Sequence, residues 1–197
     1  MRPAGFIAAG NMAVARDLHT ATALLDGTVL VVEGDGSLGA PAPAEKYIPE
    51  LGAFQTTGTP LAKRIDHTAT LLQNGLVLIT GGFVVDAAND LIPLASAELY
   101  SPFTGQFTAT GSMNQGRYDH TATLLNNGVV LISGGMTSDS NFLSSAELYD
   151  PATGAFTAAN SLNIARGQHT ATLLDDGTVL LTGGVNGQTD LASAELY

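Results

Sequence analysis

The chain is patterned in short units. Apolar residues alternate with threonine or alanine, give way to an unbroken apolar run, and stop at glycine. The third unit shows this most clearly. Over His120 to Leu125, HTATLL, alternation puts His120, Ala122 and Leu124 on one side and Thr121, Thr123 and Leu125 on the other. That is the two-residue period of a β-strand. Asn126-Asn127-Gly128 predicts a tight turn. Val129 to Ser133 predicts a strand covered on both faces, ending at Gly134-Gly135. A longer loop, Met136 to Leu143, leads to a third predicted strand over Ser145 to Tyr149. In Asp150-Pro151-Ala152-Thr153-Gly154, proline presets φ and glycine accepts positive φ, so a turn is expected. Phe156 to Ala159 predicts a fourth strand. These strands are a, b, c and d. No segment sustains a 3.6-residue period long enough for a substantial helix.

The unit recurs four times. Arg64 begins RIDHTATLLQNGLVLITGG, Arg117 begins RYDHTATLLNNGVVLISGG and Arg166 begins RGQHTATLLDDGTVLLTGG. Arg16 begins a more divergent copy, RDLHTATALLDGTVLVVEGD. The histidines His19, His67, His120 and His169 are spaced by 48, 53 and 49 residues. Tyr47, Tyr100, Tyr149 and Tyr197 keep a similar spacing at the end of strand c. A period near 50 residues signals a repeat architecture, with propellers of four-stranded blades the leading case. One four-stranded sheet cannot cover its own apolar faces, whereas radially packed sheets cover each other. Copy one departs in having Glu33-Gly34 for the glycine pair and Pro49-Glu50-Leu51-Gly52 for the usual turn. A locally altered blade is expected there.

The expected domain is a single propeller over 1–197, with blades at about 16–57, 64–110, 117–159, and 166–197 plus 6–9. Pro3 to Met12 resembles the turn and strand d of Pro151 to Asn160, while the chain stops at the end of strand c. The N-terminal strand is therefore expected to complete the last blade. A closed four-bladed ring, part of a larger propeller, and two chains forming an eight-bladed ring all fit this length.

Composition narrows the chemistry. There is no cysteine, which excludes disulfides and thiolate chemistry. Seven Lys and Arg stand against 18 Asp and Glu, for a formal charge of −11, so a phosphate backbone is an unsuitable partner. No apolar run reaches membrane-spanning length, so membrane insertion is not expected. The first residues lack the basic region and long apolar run of a signal peptide.

These landmarks resemble the kelch repeat family of β-propellers. They are the glycine pair after strand b, the tyrosine of strand c, the aromatic residue of strand d and the Arg-x-x-His opening of the next strand a. The resemblance runs from Pro3 to Tyr197 and implies an all-β, kelch-like propeller with four blades of four antiparallel strands. Phe54, Phe107 and Phe156 stand where the family usually has tryptophan. The wording looks like that of bacterial kelch proteins, often secreted or surface-associated. The family includes protein-interaction modules, a copper-containing galactose oxidase fold and sialic-acid mutarotases. The oxidase needs a cysteine crosslinked to tyrosine, which this chain lacks.

Candidate chemistry divides into repeated and variable positions. Four equivalent histidines suggest a metal ring, but a residue in every repeat most simply serves the repeat. Arg16, Arg64, Arg117 and Arg166 match Glu45, Glu98, Glu147 and Glu195 in number, which predicts one ion pair per blade interface. An arginine ring attracting an anion is the alternative, weakened by Asp66 and Asp119 beside it. The variable b–c loops are Asp35 to Ala44, Phe83 to Ala95, Met136 to Ser144 and Val185 to Ala192, and loops on a rigid scaffold are the usual place for recognition. Their candidate binding residues are Asp86, Asn89 and Asp90, then Asp139, Asn141 and Phe142, then Asn186, Gln188 and Asp190. None matches a calcium-loop spacing. No catalytic set, cofactor site or metal site emerges.

The expected function is a noncatalytic scaffold that binds a protein or other macromolecule through the b–c loops. The alternative is a carbohydrate-binding module or carbohydrate-active enzyme of the secreted propeller type. A protein or glycan partner is expected, with self-association if the ring is incomplete.

Overall fold

The alternating segments form strands, and each strand pairs with the next along the chain. A computed structural model describes residues 5–35, 41–137 and 141–197. Blade 1 contains β1 (Thr20–Ala23), β2 (Val29–Val32), β3 (Glu45–Ile48) and β4 (Ala53–Thr56). Blade 2 contains β5 (Thr68–Leu71), β6 (Val77–Thr80), β9 (Ala97–Ser101) and β10 (Gln106–Ala109). Its b–c loop adds a hairpin, β7 (Phe83–Val85) and β8 (Leu91–Pro93). Blade 3 contains β11 (Thr121–Leu124), β12 (Val130–Ser133), β13 (Ala146–Asp150) and β14 (Ala155–Ala159). Blade 4 contains β15 (Thr170–Leu173), β16 (Val179–Thr182) and β19 (Ala194–Leu196). Its loop carries the short pair β17 (Val185–Asn186) and β18 (Thr189–Asp190). All main sheets are antiparallel meanders, so the fold is the expected all-β, kelch-like propeller of four blades.

Local chemistry sets each turn. Between strands a and b, an aspartate or asparagine side chain accepts the backbone N–H two residues on, as Asn127 Oδ1 does from Val129 at 3.1 Å. Gly128 follows with φ +85°, a conformation that costs glycine least. In strands c and d, Tyr149 sits opposite Phe156, and their rings lie 4.8 Å apart.

The core lies between blades. Leu30, Val32, Val77, Ile79, Tyr100 and Phe107 pack at the first junction. Leu78, Met113, Val130, Ile132 and Tyr149 pack at the second. Leu131, Ala146, Val179 and Leu181 pack at the third. The innermost strands lie side by side in the order β1, β5, β11, β15.

One polar contact repeats across every internal junction. His67 Nε2 lies 2.9 Å from Thr20 Oγ1, His120 Nε2 3.0 Å from Thr68 Oγ1, and His169 Nε2 3.1 Å from Thr121 Oγ1. These three imidazoles are buried and each bonds to the blade before it. His19, with no blade before it, is exposed. Close backbone approach makes room for the ring. A Cβ on Gly81 would stand 2.7 Å from His120 Cε1 and 2.5 Å from the Arg117 carbonyl oxygen.

A second device closes each blade internally. Arg117 Nη1 donates to the carbonyls of Gly134 and Ser145, and Nη2 donates to Ser145 Oγ and Glu147 Oε1. Glu147 Oε2 accepts the backbone N–H of Asn114 at 2.8 Å. The same set joins Arg16 to Glu45, Arg64 to Glu98 and Arg166 to Glu195 at 2.7–2.9 Å. Each pair thus lies within a blade, where it fastens the linker from the previous blade to strand c.

One part of the expectation is corrected. The last sheet has three strands, β15-β16-β19. Residues 6–9 carry no strand, and Phe6 and Ile7 stay exposed. The reason is that the two end blades do not meet: the inner strands pack in series, β1 on β5, β5 on β11 and β11 on β15, and β15 makes no comparable packing with β1. The faces Ala21 and Ala23 on β1, and Thr170 and Thr172 on β15, are accordingly exposed. No helix among the described residues is long and apolar enough to cross a membrane.

Two outcomes follow from these contacts. Glu98→Ala strands the buried Arg64 guanidinium and is expected to destabilise the fold by about 3–5 kcal/mol in urea titrations. Burial depresses the imidazoles of His67 and His169 to about 3 and about 4, and holds His120 well below its usual value. They stay neutral when folded but protonate in the unfolded chain below about 6.5, the ordinary value for histidine. Their contribution is therefore intact above that pH and falls as pH drops toward 4. The urea midpoint is expected to decrease over this window, with a shallower decrease in His120→Gln.

Candidate functional site

The segment fastened by each arginine delivers one side chain to the inner rim of the propeller. The residue after the arginine forms a one-residue bridge with the residue that follows the glycine pair (Glu33-Gly34 in copy one). These bridges are Asp17 with Asp35, Ile65 with Phe83, Tyr118 with Met136 and Gly167 with Val185. The next residue then turns left-handed. Leu18, Asp66, Asp119 and Gln168 have φ of 49°, 52°, 53° and 55°. Such a conformation costs a non-glycine residue roughly 1–2 kcal/mol. Its presence in all four copies makes it a property of the blade, and only the side chain varies.

These residues touch in series. Asp119 N donates to the Asp66 carbonyl at 3.4 Å, and Gln168 N donates to the Asp119 carbonyl at 2.9 Å. Gln168 Nε2 also donates to Asp119 Oδ2 at 3.0 Å. The residues preceding two of them belong to a small apolar cluster of Ile65, Phe83, Tyr118 and Met136, the first three of which are buried. Phe83 and Tyr118 meet edge to face at 5.1 Å. Partial burial, then the charges of Asp119 and Asp17, push the Asp66 carboxyl up to about 6. Burial, then the charges of Asp119 and Asp66, also raise the Tyr118 phenol. A carboxyl raised to about 6 thus lies within electrostatic reach of a second carboxyl, which holds the Gln168 amide, while the buried Tyr118 phenol donates to the Thr137 carbonyl at 3.4 Å.

Glu33 is a second unusual acid. It occupies the place of the first glycine in the pair, at φ 49°, and is 2% exposed. The bond from Gly34 N to the Arg64 carbonyl stretches to 3.3 Å, against 2.9 Å and 2.8 Å at the same place in the next two junctions. Burial pushes its carboxyl up to about 7 despite Arg64 and Arg16 nearby.

The residues expected to act lie elsewhere. Asp86 Oδ1 accepts the backbone N–H groups of Ala88 and Asp90, so it serves its own β7–β8 turn. Asn89 stands in that turn at φ 68°. Asn141 accepts a backbone bond from Thr137, and Phe142 forms a bridge with Met136. Asn186, Gln188 and Asp190 are exposed on the β17–β18 pair. Asp139 lies outside the described residues. No group of three or more metal-ligating side chains able to hold an ion occurs among the described residues. The arginines are buried and paired, which removes them as an anion-attracting ring. Asp66, Asp119, Tyr118 and Gln168 were not singled out as a site. Their signal was variation between two repeated residues, Arg and His, within an otherwise constant segment.

Comparison with known proteins bears on the class. Residues 117–163 match the Kelch motif. No curated protein matches the chain. Among solved structures, the chain is similar to YjhT, with a TM-score of 0.72 and 15% identity, covering 87% of this chain and 59% of that chain. At this identity the likeness is one of fold. The chain therefore spans less than two thirds of the YjhT chain. Motif and fold together are consistent with a kelch-repeat protein, a propeller able to bind a ligand or partner. The YjhT likeness also corrects the expectation that leaned against an enzyme, because this fold gives no ground for excluding catalysis.

The raised Glu33 carboxyl has a measurable consequence. It takes up a proton on folding, so its unfavourable contribution shrinks as pH falls from about 7 toward the usual carboxylate range. Glu33→Gln is expected to raise the melting temperature at pH 8 and to leave little difference from the parent chain at pH 5.

Proposed function

We propose that this propeller binds a neutral carbohydrate at the inner rim formed by Asp66, Asp119 and Gln168. The observation that carries this reading is the Asp66 and Asp119 pair, set side by side by two successive left-handed turns whose backbones hydrogen-bond, with the Asp66 carboxyl raised to about 6 by burial and then by the charges of Asp119 and Asp17. Carboxyl and amide groups match the mixed donors and acceptors of sugar hydroxyls. Two adjacent carboxyls and a chain charge of −11 favour a neutral sugar over an acidic one. A carboxyl raised to about 6 can both hold and release a proton in mildly acidic solution, which suits proton exchange with a sugar oxygen and supports a carbohydrate-active enzyme as well as a binding module.

Calorimetric titration with neutral hexoses and N-acetylhexosamines tests this reading. At least one sugar is expected to bind, and Asp66→Asn with Asp119→Asn together to weaken it tenfold or more. Absence of binding across the panel, or unchanged affinity in the double variant, would overturn it.

A second reading is favoured by Val85, Leu91 and Ile92, which stand exposed on β7 and β8. These apolar residues suit a protein partner on the b–c loops.

A further inference from the structure

The two ends of the four-blade arc carry matching halves of one blade junction. At the blade 4 end, β19 pairs only with β16 and leaves its outer edge open. In blades 2 and 3 a fourth strand covers this edge and lays Phe107 or Phe156 against Tyr100 or Tyr149 at 4.8 Å. Phe156 packs on a cluster that includes Leu78, Ala97, Met113, Ile132 and Tyr149. The equivalent residues around blade 4 are Leu131, Ala146, Leu162, Leu181 and Tyr197. They line a cavity of about 320 Å³. Blade 4 thus keeps the socket for a strand d phenylalanine.

At the blade 1 end stands a strand d without a sheet. Gly5-Phe6-Ile7-Ala8-Ala9-Gly10 follows the sequence of the covering strands, and Phe6 is fully exposed. Gly10 lies against the Gly52 carbonyl, as Gly58 lies against Gly105 and Gly111 against Gly154. The chain therefore reaches blade 1 along the path that a preceding blade's fourth strand takes elsewhere. The polar contact is divided in the same way. Thr170 Oγ1 and Thr182 Oγ1 lie 2.8 Å apart and exposed. Their equivalents Thr68 and Thr80 both reach His120, at 3.0 Å and 3.3 Å. The histidine that would complete the blade 4 set is His19, exposed at the opposite end.

We propose that a second copy of this chain joins these halves. Residues 6–9 of one copy add to β19 of the next, Phe6 enters the cavity beside Tyr197, and His19 meets Thr170 and Thr182. The register follows from β13 and β14, where Tyr149 faces Phe156 and Leu148 faces Thr157. Phe6 then faces Tyr197, Ile7 faces Leu196, Ala8 faces Glu195 and Ala9 faces Ala194. The contact joins different surfaces, so copies assemble head to tail. Continuity selects this occupant: the three internal junctions already use this contact set. Residues 5–10 carry no charge, while the chains repel at −11 each, so added salt strengthens assembly.

Sedimentation of the full chain over rising concentration is expected to show species at multiples of 20.1 kDa. Phe6→Asp, outside the packed core, is expected to weaken association at least tenfold with an unchanged circular dichroism spectrum, and Thr170→Val to weaken it as well. The chain has no cysteine, so engineered thiols report the register directly. Mixed Ile7→Cys and Leu196→Cys chains are expected to form a disulfide-linked heterodimer. A monomer at every concentration, association indifferent to Phe6→Asp, or a double-cysteine variant that links only within itself would overturn the proposal.

Discussion

A buried guanidinium organises each blade. Arg64, Arg117 and Arg166 give up hydration that only a dense set of acceptors can replace. The carbonyl ending strand b, the carbonyl and hydroxyl opening strand c, and a glutamate carboxylate provide that set. The second carboxylate oxygen then holds the incoming linker, as Glu98 holds Leu61 N at 2.7 Å. Linker, strand b and strand c are tied at one point. Every feature downstream along the chain depends on that point: the bridge residue, the left-handed turn at the rim, and the histidine that bonds to the previous blade.

The blade junctions translate this geometry into pH behaviour of both signs. His67, His120 and His169 are neutral in the folded chain and resist acid poorly. Glu33 is the reverse, a carboxyl that burial favours in its protonated form. The two effects meet at the first junction, where Glu33 replaces a glycine and His67 faces Thr20. Only this junction carries an acid at that place, and only there does the adjoining backbone bond reach 3.3 Å.

Much of the fold could be read from the chain because each blade repeats its landmarks. The histidine spacing, the glycine pairs and the Tyr149–Phe156 pairing all rest on short-range pattern. The partnership of arginine and glutamate was visible as matched counts, though its place inside the blade was not, since the linker path is a three-dimensional fact. The open junction between the end blades was invisible for the same reason. A repeat specifies its contact with the next repeat, as Leu78 and Ile132 do within one cluster, but not whether the last blade meets the first. The strand-d pattern from Phe6 onward is legible, whereas the edge it pairs with is a three-dimensional fact. The rim escaped notice because Asp66 and Asp119 are distant in sequence and meet only through successive turns.

The left-handed rim position has a further consequence. Leu18, Asp66, Asp119 and Gln168 share nearly one φ, although their side chains span apolar, acidic and amide chemistry. The backbone there is set by what surrounds it, and the residue occupying it is free to differ. A propeller built this way is a combinatorial display: each blade presents one interchangeable group at a common address. Replacing a single side chain would recast the chemistry of the rim while the strands, junctions and ion pairs that hold it remain as they are.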